Sequence, residues 1–178
     1  MGDRIINRRR ALRVAVHVVL AALPAASLLA SSAAFADQAF ERFLPFLVDL
    51  DGWQGKKPQG FAMEMTGSNL ITASRDYERG PAHLQAQVMI GAAAQGALAP
   101  LRSAMNIETS EGRMNKSTID GVRVMRSFNI KEQSGAILVA LGTSALLNVT
   151  FRGIGDDDTL ALAKKFNWKA LQAAVAPK

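Results

Sequence analysis

Residues 114–130, MNKSTIDGVRVMRSFNI, decide the fold. The pair Asp120-Gly121 stands between two alternating runs, and a two-residue Asp-Gly loop favours the turn whose twist matches a β-hairpin. Antiparallel pairing is therefore expected here, and the same signal recurs on both sides. GAILVALG, residues 135–142, is apolar throughout, as suits a central strand covered on both faces. In LLNVTFRG, residues 146–153, Leu147, Val149 and Phe151 alternate with Asn148, Thr150 and Arg152. That strand should pair with its predecessor through Gly142-Thr143-Ser144.

Upstream the period is again two. Phe61, Met63 and Met65 alternate with Ala62, Glu64 and Thr66, which predicts a strand with one apolar, core-facing side. NLITASRDYER, residues 69–79, continues as a second strand, and Gly80-Pro81 punctuates. A third strand sets Leu84, Ala86, Val88 and Ile90 against the more polar His83, Gln85, Gln87 and Met89.

Helical spacing appears in three places. QAFERFLPFLVDL, residues 38–50, has apolar residues at 40, 43, 44, 47 and 48, with Pro45 either kinking the helix or starting a second turn. An alanine-rich stretch predicts a helix over 93–105, weakened by Gly96 and Pro100. After Asp156-Asp157-Asp158, read as acids capping a helix N-terminus, Leu160, Ala163 and Phe166 share one face. Trp168, Leu171 and Val175 continue a second short helix. The expected architecture is an α+β domain, a mostly antiparallel sheet of six to seven strands with helices packed on it.

Residues 1–36 read as a cleaved signal peptide. GDRIINRRRALR is basic, VAVHVVLAALPAASLLA is apolar, and Ala34-Phe35-Ala36 places alanine where a signal peptidase reads. Pro24 and Ser31-Ser32 shorten the apolar run below what a membrane anchor needs. Arg8-Arg9-Arg10-Ala11-Leu12-Arg13 resembles a twin-arginine signal, so either the general secretory (Sec) or the twin-arginine route is open. A single domain over 37–178 follows, periplasmic or secreted, touching the membrane only through its leader during export. Five arginines and Asp3 precede residue 37, so the remainder carries 16 basic against 14 acidic residues. Nucleic-acid binding needs a basic field that this balance does not supply.

The chemical inventory is short. The chain has no cysteine, which removes thiolate metal sites and thiol catalysis, and beyond the leader His83 is the only histidine. No nucleophile elbow, zinc-protease, Walker or dinucleotide motif occurs. No cofactor and no catalytic residue are expected. Met63 and Met65 with His83 form a copper candidate on the softness of thioether sulfur, but a strand face shared with Phe61 reads better as core. Arg75 sits between apolar neighbours and Tyr77, so its guanidinium needs either a carboxylate of the domain or an anionic ligand. Trp53, with Lys56 and Lys57 in a Gly/Pro-rich loop, either docks a partner or folds back on the core edge.

The order Gly52-Trp53, a Gly/Pro loop, ASRDYERG (residues 73–80), an alternating strand, STIDG (residues 117–121) and an aspartate-led terminal helix resembles a family of exported bacterial proteins built on a domain of unknown function. The element order is also similar to PsbP-like domains, which implies an α/β/α sandwich and an accessory or binding role. A non-enzymatic periplasmic accessory or binding protein is the expectation, with an unknown protein or a small anionic ligand as partner. A periplasmic copper-handling protein or an enzyme is the alternative.

Overall fold

At the Asp120-Gly121 turn both residues take positive φ, +52° and +82°, the geometry that a two-residue hairpin demands. The structure is a computed structural model that describes residues 39–65, 67–102 and 106–176. The expected leader lies outside the described residues. A 3-10 helix, Glu41–Phe46, opens the domain, followed by strands β1 (Gln54–Gly55), β2 (Gln59–Met65), β3 (Ser68–Arg79) and β4 (Ala82–Gly91). Helix α1 (Ala92–Ala97) and a 3-10 turn at Ala99–Arg102 come next. Then follow β5 (Ile107–Glu108), β6 (Gly112–Ile119), β7 (Val122–Asn129), β8 (Ser134–Ala140) and β9 (Ala145–Arg152). Helices α2 (Asp156–Lys164) and α3 (Trp168–Val175) end the described chain.

One sheet of nine strands results, in the order β1-β3-β4-β9-β8-β7-β6-β5, with β2 also on the outer edge of β3. Every pairing is antiparallel. The α+β class holds, and the count of six to seven strands rises to nine. The additions, β1 and β5, span two residues each, too short to leave a period in the sequence.

Register explains the core. Ala73, Val88, Leu147, Val139 and Val124 are successive cross-strand partners, and all five are fully buried. Phe43, Leu47, Phe166, Trp168 and Leu171 close over this face from the N-terminal 3-10 helix, α2 and α3 and the segments that join them. On the opposite face a smaller cluster gathers Ala94, Leu98 and Leu101 over Met125, Ala140 and Leu146. It covers part of that face, and no helix among the described residues lies over the remainder.

Three local expectations are corrected. Of the helix over 38–50, Gln38 lies outside the described residues and the part around Pro45 is a 3-10 helix that ends at Phe46, because Pro45 withholds the amide that a longer helix needs. The helix over 93–105 stops at Ala97 and passes into the 3-10 turn that contains Pro100. Phe61 and Met63 are half exposed, at 50% and 45%, since β2 lies at the sheet edge and neither side chain joins a core cluster.

The aspartate-led helix begins where expected but for another reason. Its N-cap is Gly155, and no side chain caps it. Asp156 is buried, and its two oxygens accept hydrogen bonds from Arg113 Nε and Nη2 (3.0 and 2.8 Å) and Arg126 Nε (3.2 Å). Asp157 takes a further bond from Arg126 Nη2 at 3.0 Å. Burial alone would lower the Arg126 pKa, but its bonds to Asp156 and Asp157 raise it. The acids thus bolt α2 to β6 and β7.

Candidate functional site

The side chains singled out in the sequence divide between two places. Ile71, Ala73, Arg75, Tyr77 and Arg79 share the helix-covered face of β3, as strand alternation requires. Arg75 Nε donates to Lys56 O and Nη1 to Leu47 O, each at 2.8 Å, and Nη2 pairs with Asp49. Gly55 makes this possible, because a Cβ there would come within 2.5 Å of the guanidinium. Tyr77 Oη donates to Val48 O at 2.8 Å, and its ring lies 6.0 Å from that of Phe166. Trp53 folds onto the core at 8% exposure, with Arg79 stacked 4.5 Å above its ring. Arg75, Tyr77 and Trp53 therefore clasp segment 47–56 to the sheet, and Lys57 stays exposed.

Burial pushes the Tyr77 hydroxyl well above its ordinary value near 10. A raised folded pKa supplies stability that is complete below pH 10 and is lost as the pH climbs beyond it towards the folded value. Since Tyr77 is the only tyrosine, tyrosinate absorbance reads this group alone. The signal is expected above pH 10 and together with loss of circular dichroism; ionisation at pH 10 in an intact fold would contradict the burial.

The second place is on the other face, on the part that no helix among the described residues covers. Glu78, His83 and Arg152 are successive cross-strand partners on β3, β4 and β9, and Asp76, Gln85 and Thr150 form the next row. Together with Lys56 they line a shallow groove of about 290 Å3. Its charges are unequal in their freedom. Lys56 Nζ and Glu78 Oε1 pair at 2.7 Å, which raises the lysine pKa and lowers that of the carboxyl. Asp76 accepts a hydrogen bond from Gln85 at 2.9 Å. The Arg152 side chain has no ion-pair or hydrogen-bond partner among the described residues, and His83 lies beside it. One row further along the same face, Asn148 Oδ1 is buried without a donor.

Met63 and His83 do not meet. Their β3 partners are Leu70 and Glu78, eight residues apart, so about 26 Å of strand separates them. Among the described residues no three His, Asp or Glu side chains gather as metal ligands.

Of the groove's side chains, sequence reasoning found Lys56 and His83 and missed Asp76, Glu78, Gln85, Thr150 and Arg152. The polar alternation of both strands was visible; the adjacency of β4 and β9 was not. Compared with protein-family models, curated proteins and solved structures, the chain matches none of them.

Proposed function

We propose that the chain is an exported, non-enzymatic accessory or binding protein that receives an anionic group at Arg152 and His83. The observation that carries this reading is the unpaired Arg152, set in a groove whose other full charges are neutralised within the domain or hydrogen-bonded. A guanidinium free on a sheet offers a planar fork of donors to a carboxylate or phosphate, and it is already held by the strand beneath it. The anion belongs either to a small molecule or to an acidic side chain of a partner protein. Helices on both faces of the sheet agree with an α/β/α sandwich of the PsbP-like kind, whose members serve as accessory proteins. The nearly balanced charge beyond residue 36 disfavours nucleic acid as the partner.

The test is an amide NMR titration of residues 37–178 with citrate and, separately, with inorganic phosphate. Shifts are expected at His83, Thr150 and Arg152, and Arg152→Gln should abolish them without changing the melting temperature. Shifts scattered over the surface lysines, or unchanged in Arg152→Gln, would sink the reading.

A further inference from the structure

The outer edge of the sheet carries a different message. Lys56 N donates to Asp76 O at 2.8 Å, which shows that the even-numbered residues of β3 direct their backbone groups to the β1 and β2 side. Backbone direction alternates along a strand, so Leu70, Thr72 and Ser74 bond to their register partners Met63, Phe61 and Gln59. The amides and carbonyls of Gly60, Ala62 and Glu64 consequently point away from the sheet, and no strand among the described residues receives them.

Protected edges are short, bulged, or studded with lysine or proline. The opposite edge meets that description, for β5 is two residues long. β2 does not. It runs seven residues in unbroken register, with no basic residue, no proline and Glu64 as its one charge. Lys56, Lys57 and Pro58 stand just before it and mark where the open edge begins. Phe61 and Met63 stand in solvent on one side of it, two of the five large apolar side chains exposed in the described chain.

We propose that β2 pairs antiparallel with β2 of a second copy about a two-fold axis at Ala62, joining two sheets edge to edge. Self-complementarity selects this occupant. A two-fold axis normal to a sheet keeps each side chain on its own face, so only residues of equal parity can oppose one another. With the axis at Ala62, the outward groups of Gly60, Ala62 and Glu64 meet those of Glu64, Ala62 and Gly60 of the other copy in about six backbone hydrogen bonds. Phe61 then lies opposite Met63 of the other copy in a non-hydrogen-bonded pair, the closer kind, with Cα atoms about 4.5 Å apart. Each dimer gains two aromatic–thioether contacts of the favourable sort. Charge agrees with the register: Glu64 faces glycine, and the two glutamates stand about 13 Å apart along the strands. The interface is isologous, so it closes at two copies rather than growing into a fibre.

Sedimentation velocity of residues 37–178 across a concentration series tests this directly. The wild-type mass is expected to double as concentration rises, with slow hydrogen exchange at the amides of Gly60, Ala62 and Glu64 under dimeric conditions. Ala62→Pro removes an outward amide and no bond to β3, and is expected to stay monomeric. Phe61→Glu is a second variant, replacing a half-exposed side chain, so its melting temperature should be unchanged while its mass does not double. Wild-type protein that remains monomeric throughout overturns the proposal, including the case in which an unrelated protein binds β2. A dimer that persists in both folded variants overturns it as well.

Discussion

Asp156→Ala is expected to destabilise the domain by about 3 kcal/mol, the lower end of what breaking a buried ion pair costs. Asp156 is 6% exposed and serves two arginines at once, so its removal leaves partly buried donors on Arg113 and Arg126 without that acceptor. Arg126 keeps Asp157, and Arg113 is exposed enough to turn towards water, which holds the loss below the upper limit. The partners sit 43 and 30 residues upstream, so the contact ties the terminal helices to the sheet. Urea denaturation measures the loss, and a double-mutant cycle with Arg113→Gln isolates the pair. A loss under about 1 kcal/mol would mean that the helix is held by its apolar face alone.

Trp53→Ala should cost about 3–5 kcal/mol, the range for emptying a large aromatic site in a core. The ring belongs to the main apolar cluster although it comes from a loop. Trp53→Phe separates the packing from the polar contribution. Trp53 Nε1 is buried without an acceptor, so the phenyl ring forfeits no hydrogen bond and should retain most of the stability. Thermal melts of both variants decide it: a folded, wild-type-like Trp53→Ala would return the side chain to the role of an exposed docking residue.

The parts of the fold that were legible are those where one local rule speaks alone. Asp120-Gly121 gave the hairpin because both positions need positive φ, and the apolar run of β8 gave a strand covered on both faces. Alternation in β3 correctly set Arg75, Tyr77 and Arg79 on one face. What failed was the inference from the apolar face of β2 to burial. Phe61 and Met63 have the pattern of core residues, yet burial depends on what lies opposite, and no helix among the described residues covers their side of β2. The groove failed for a related reason. Gln85 and Thr150 become neighbours only when strands 65 residues apart in the chain pair, and a period of two says nothing about which strand lies alongside. The acids before α2 were placed correctly at a helix start, but their arginines sit on distant strands and left no local trace.

The central seam between β4 and β9 has a consequence for the order of events in synthesis. Ile90 must find Ala145, and His83 must find Arg152. A nascent chain that stops short of Ala145 has two separate meanders and no continuous hydrophobic layer to bind them. Closure then waits for nearly the whole polypeptide, and so non-local a topology belongs with domains that fold in milliseconds to seconds rather than microseconds.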